Sequence, residues 1–100
     1  MRVGIWVAND GDAFVLLDAA DGRVLRVAHF GRTLGQAALA ADGTVWVPDK
    51  EIDTVFRVDP TSGEVLDSFP GGNGAFQALQ AFGSVWVTSY AGAGVWRFRL

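Results

Sequence analysis

An all-β chain assembled from repeated four-stranded antiparallel units is the fold this sequence predicts, on three observations. Trp6, Trp46 and Trp86 recur every 40 residues, each inside a short apolar run: Gly4-Ile5-Trp6-Val7, Thr44-Val45-Trp46-Val47 and Ser84-Val85-Trp86-Val87. The stretch Leu17-Asp18-Ala19-Ala20-Asp21-Gly22-Arg23-Val24-Leu25 overlays Val58-Asp59-Pro60-Thr61-Ser62-Gly63-Glu64-Val65-Leu66. Ala37-Ala38-Leu39-Ala40 overlays Gln77-Ala78-Leu79-Gln80, and each leads through a Gly turn into a tryptophan run. Repeats of about 40 residues made of short strands are the mark of β-propeller blades, none of which can bury its faces without neighbours.

With the strands of a blade lettered A to D from the inside out, residues 4–30 supply B, C and D, residues 36–69 supply A to D, and residues 76–99 supply A, B and C. The expectation is one partial propeller domain over residues 1–100, about two and a half blades. The tryptophan runs are the B strands. Between C and D comes a bulged hairpin: Asp59 caps the turn, Pro60 presets φ, and Gly63 supplies the left-handed position. The first copy keeps Asp18 and Gly22 and has no proline there. The connection from Ala8 to Asp12 is one residue shorter than that from Pro48 to Asp53, an indel of the kind loops absorb. Leu34 to Ala41 has helical propensity, but eight residues are too few for an unsupported helix and the second copy carries Phe76, so both copies are predicted to be A strands. Their alanines suit the crowded axis of a propeller. The B and C strands carry nearly continuous apolar runs, as sheets buried on both faces do.

The 100 residues are 50% apolar with a mean hydropathy of +0.24, enough for one modest core. Closed rings usually hold about 4–8 blades, so a segment of a larger propeller is expected, or else a natural or engineered repeat chain that closes a ring by self-assembly. Open strand edges at both ends predict self-association. Eight scattered basic residues and a net charge of −3 argue against nucleic acid. No apolar stretch reaches the roughly 18 residues of a membrane span, and no signal-peptide core is visible. With no cysteine there is no thiolate chemistry.

Gly43-Thr44-Val45-Trp46-Val47-Pro48-Asp49, followed by Val55-Phe56-Arg57-Val58-Asp59-Pro60-Thr61-Ser62-Gly63-Glu64-Val65, resembles the repeat of bacterial YVTN/NHL-like propellers, including those related to streptogramin B lyase. The resemblance spans essentially the whole chain. It implies a propeller and says little of activity, because turn formers and core residues are shared by binding modules and enzymes alike. Where such repeats often place Pro-x-Gly before strand A, Gly35-Gln36-Ala37 and Ala75-Phe76-Gln77 stand here. The lyases use histidine, glutamate and a divalent metal. The single histidine here, His29, has Pro70 as its counterpart, and no catalytic residue is carried over. The resemblance alone suggests an extracytoplasmic location. A binding or scaffold module for a protein, peptide, glycan or small molecule is the reading favoured; a metal-dependent lyase or hydrolase segment is the alternative.

The B–C and D–A connections of a propeller emerge on one face. That face gathers Asn9, Asp10 and Asp12 from the first unit, Asp49, Lys50, Glu51 and Asp53 from the second, and Ser89 and Tyr90 from the third. Clustered carboxylates suit a hard cation such as calcium, which takes about 6–8 oxygen ligands. Asn9-Asp10-Gly11-Asp12 is far from a complete calcium loop, and Asp, Asn and Gly are what turns favour anyway; no cofactor is assigned, a divalent cation being the one to test. Tyr90, with Lys50 as its repeat counterpart, suits stacking on a sugar or flat ligand. The three tryptophans, fixed within strands, are assigned to the blade interior. No serine lies in a Gly-x-Ser-x-Gly elbow, and Gly71-Gly72-Asn73-Gly74 lacks the lysine and helix of a phosphate loop.

Overall fold

Short β-branched and aromatic runs, bounded by Gly, Asp and Pro, form ten strands in the computed structural model, which describes residues 4–8, 11–89, 91–92 and 94–100. These are β1 (Gly4–Ala8), β2 (Ala13–Asp18), β3 (Val24–His29), β4 (Ala38–Leu39), β5 (Val45–Asp49), β6 (Thr54–Val58), β7 (Val65–Pro70), β8 (Ala75–Ala81), β9 (Ser84–Ser89) and β10 (Val95–Arg99). They pair antiparallel in three sheets, β1-β2-β3, β4-β5-β6-β7 and β8-β9-β10. The described residues contain no helix long and apolar enough to cross a membrane.

The duplicated hairpin is built twice in one geometry. Asp18 Oδ1 accepts from Ala20 N at 2.8 Å, and Asp59 Oδ1 accepts from Thr61 N at 2.7 Å. Gly22 N donates to Asp18 O and Gly63 N to Asp59 O, both at 2.8 Å. The two glycines have φ of 74° and 75°, the left-handed conformation that a side chain disfavours. Each hairpin carries a bulge at the same place, between Leu16 and Leu17 and between Arg57 and Val58. Pro60 is therefore dispensable to the turn geometry, since the first copy reaches it without a proline.

The two A-type segments differ more than their sequences do. Residues 75–81 form the seven-residue β8, whereas the alanine-rich copy contributes only the two-residue β4 and isolated bridges at Leu34 and Gln36. It is extended all the same, because its backbone groups find partners on both sides. Gly35 N donates to Pro48 O at 2.7 Å, Gln36 N to Phe76 O at 2.8 Å, and Ala78 N to Gln36 O at 2.9 Å. Gln36 and Gln77 thus form a parallel bridge between the middle and third sheets. Gly35 permits it: a Cβ there would lie 2.0 Å from the Phe76 carbonyl oxygen.

The sheets stack face to face and make two cores. On one side of the middle sheet, Val45, Val47, Phe56 and Val58 meet Phe14, with Trp6 and Ala28 packed against them. On the other, Trp46 and Val55, with Phe69, meet Ala78, Val85, Val87 and Phe98. The middle sheet is therefore covered on both faces, and every residue of β5 is buried. The continuous apolar runs of β2 and β10 led to the same expectation for the outer sheets. There the structure differs: each outer sheet has one covered face and one open face, so Val24, Val27, Leu79 and Val95 are exposed.

The tryptophans divide accordingly. Trp46 is 3% exposed and stacks on Phe69 at 5.4 Å between centroids. Trp6, half-buried, stacks on Phe14 at 4.5 Å and donates its indole N–H to the Pro60 carbonyl across the sheet interface. Trp86 shares its cross-strand row with Leu79 and Arg97, on the open face of the third sheet, and the Arg97 guanidinium lies 5.1 Å over its ring. The interior assignment thus holds fully for Trp46 and in part for Trp6 and Trp86, both half-buried, Trp6 against the middle sheet and Trp86 on an open face.

Candidate functional site

The β5–β6 loop and residues 11–12, which lead from β1 into β2, lie at one edge of the molecule, where they meet the connections that link successive sheets. The backbone contact is the same twice over: Phe30 N donates to Asp12 O at 3.0 Å, and Gly71 N donates to Asp53 O at 2.9 Å. These are the loops singled out from the sequence. Asn9, Asp10 and Tyr90 lie outside the described residues; the other six candidates can be placed.

Asp49 is fully buried. Its Oδ2 accepts from Arg32 N at 2.6 Å, Thr33 N lies 3.2 Å from both oxygens, and Oδ1 accepts from Glu51 N at 3.0 Å and Ile52 N at 3.4 Å. A carboxylate surrounded by backbone donors from two loops is a stitch between them. Gly31 lies directly over it, at φ 67°, where a Cβ would come within 2.3 Å of Oδ2. Asp53 holds the next junction, Oδ1 accepting from Gly74 N at 2.7 Å, and itself adopts a left-handed φ of 54°, which Asp tolerates better than most residues. Ser89 binds the same segment from the third sheet, its hydroxyl donating to Asn73 O. Glu51 accepts from the Thr33 hydroxyl at 2.7 Å, and Asp12 lies 3.5 Å from His29 Nδ1 at the exposed rim. Among the described residues no three His, Asp or Glu side chains gather as a metal group would require.

Lys50 is placed differently. Its ammonium sits 5.6 Å from the centroid of the Phe76 ring, within cation–π range. It borders a cleft of about 540 Å³ between Trp6–Ala8 of β1, the Leu34–Ala37 segment and Phe76. The wall is largely apolar, with the Lys50 ammonium and the Gln36 amide as its polar side chains. Phe76, Gln36 and Trp6 were not among the candidates drawn from the sequence. A signal existed: Phe76 occupies the repeat position held by Gly35 one unit earlier, as the pairing of Leu34 with Asp49 and of Ala75 with Ser89 shows, an aromatic substituted into an otherwise small-residue segment.

No family model matches this sequence, and no curated protein matches it either.

Proposed function

We propose that this chain is a binding module of the β-propeller type, of the kind its YVTN/NHL-like motifs suggest, and that the cleft beside Lys50 takes a ligand with a flat apolar body and an anionic group. Stacked antiparallel sheets with the middle one covered on both faces, and a parallel bridge joining successive inner segments, support the architecture. The cleft carries the functional reading. Its volume falls within the roughly 300–1,000 Å³ of small-molecule sites, and its chemistry, apolar walls with a few placed polar groups, is that of such sites. Trp6 and Phe76 offer ring surface, Lys50 a positive charge and Gln36 an amide. No side chain is assigned a catalytic role, since the Asp49 and Asp53 carboxylates are engaged in joining loops.

The dye 1-anilinonaphthalene-8-sulfonate combines an aromatic body with a sulfonate and serves as the probe. Titration by fluorescence should show binding that weakens about tenfold, the equivalent of about 1.4 kcal/mol, in Lys50→Met. Phe76→Ala should weaken it as well. Undiminished binding in Lys50→Met would place the dye on the open sheet faces and refute the cleft reading.

A further inference from the structure

The two open faces of the sheet stack are related by the repeat to the two faces that are already packed. Trp46 and Val55 face the third sheet, and their counterparts there, Trp86 and Val95, face outward. Val47, Phe56 and Val58 face the first sheet, and their counterparts there, Val7, Val15 and Leu17, face outward at the opposite end. Each internal interface thus joins a face of the tryptophan kind to a face of the valine kind: Trp6 and Phe14 on Val45 and Val47, then Trp46 and Val55 on Val85 and Val87. One unused face of each kind remains. Leu79 and Val95, 60% and 63% exposed, lie on the first, and Val24 and Val27, 55% and 46% exposed, on the second.

We propose that these faces are the two halves of one more interface of the same kind, and that its occupant is a second copy of this chain stacked head to tail, third sheet on first sheet. A like-to-like pairing would set Trp86 against Trp86 or valine against valine, a combination neither internal interface uses. Head-to-tail contacts leave two faces open after one step, so the assembly either closes or grows. Each copy brings three sheets, and two copies bring six, inside the usual range of about 4–8 for closed rings. Closure at two copies rests on the propeller reading; the stacking rests on residue equivalence alone.

The test uses two surface variants of the full chain. Leu79→Asp/Val95→Asp blocks one face, and Val24→Asp/Val27→Asp blocks the other; all four side chains are exposed, so near-native far-UV circular dichroism serves as the folding control. By light scattering at about 100 µM, the unmodified chain should have twice the 10.7 kDa monomer mass, and each variant alone the monomer mass. An equimolar mixture of the two variants should recover the doubled mass, through the one interface that still has both wild-type faces. If either variant alone stays dimeric, the pairing is like to like or edge to edge, and the proposal is overturned. A folded wild-type monomer assigns these faces to a different occupant and overturns it while leaving the cleft reading untouched. A ladder of higher masses supports the stacking and refutes closure at two copies.

Discussion

Replacing Asp49 with alanine should destabilise the fold by about 3 kcal/mol, more than any other single change at the loop edge. The carboxylate is 0% exposed and accepts from four backbone N–H groups. Two of these bonds are well formed, Arg32 N at 2.6 Å and Glu51 N at 3.0 Å; Thr33 N is shared between the oxygens and Ile52 N is long. Counting two bonds at roughly 1.5–2 kcal/mol each gives about 3–4 kcal/mol. The exposed position of Arg32, Glu51 and Ile52 lets water reach part of the freed backbone, which favours the lower end. For a chain of this size that is a fall in melting temperature of about 12–20 °C. Asp49→Asn keeps one acceptor oxygen and turns an N–H₂ toward the donors on the other side, so it should lose about half as much. Urea unfolding at 25 °C, monitored by tryptophan fluorescence, measures both. A loss below about 0.5 kcal/mol in Asp49→Ala would refute the stitch, because buried donors without an acceptor cannot cost so little. Equal losses for asparagine and alanine would show that the site does not distinguish one acceptor oxygen from none.

Gly35→Ala places a methyl carbon 2.0 Å from the Phe76 carbonyl oxygen and must push the first and second inner segments apart; a loss of about 1–3 kcal/mol is expected, with faster amide exchange at Gln36 and Ala78, and unchanged exchange would be contrary. The Thr44 hydroxyl and backbone N–H, with Arg57 beside them, hold Asp42 below the ordinary carboxylate value of 3.8. Its contribution to stability is therefore complete above that value and is lost as the pH falls through the lower folded-state value, so the urea midpoint should drop on acidification below about pH 4, and less steeply in Asp42→Asn. Parallel curves for the two proteins would remove Asp42 as a cause. Trp46→Ala should cost about 3–5 kcal/mol through the cavity it leaves between two packed sheets. Trp86→Ala, measured below the concentration at which copies associate, should cost under about 2 kcal/mol because that ring borders an open face; equal losses would mean that the two rings are equally buried.

Elements with a strict local cause were legible in the sequence. The paired hairpins at Asp18–Gly22 and Asp59–Gly63 follow from a side-chain cap and a left-handed glycine, both written within five residues, and they are built alike. The all-β character followed from runs of β-branched residues at a fixed spacing. Less legible was the direction in which each face looks. Trp46 and Trp86 occupy the same register in the same kind of strand, and only the presence or absence of a neighbouring sheet makes one buried and the other partly exposed. Asp49 and Asp53 were read as loop-face candidates because Asp in a loop is ambiguous from sequence: the residue that caps a turn and the residue that offers itself to a ligand are the same residue. Burial separates them, and burial of Asp49 depends on Arg32 and Thr33, sixteen and more residues away.

That ambiguity has a physical resolution in a repeat chain. Asp12 and Asp53 hold corresponding junctions through the same backbone contact, so residues that recur between units carry the architecture. Recognition of a particular ligand needs an asymmetric surface, and in a repeat that surface comes from positions where the copies disagree. Two such positions differ in chemistry across the loop edge: Lys50, whose counterpart is Tyr90, and Phe76, whose counterpart by strand register is Gly35. Three of these four residues have described positions, and all three border the cleft. The departures from the repeat therefore converge where the regular residues leave open volume, which is why the cleft, and not the carboxylate-rich loops, is the place to look for a ligand.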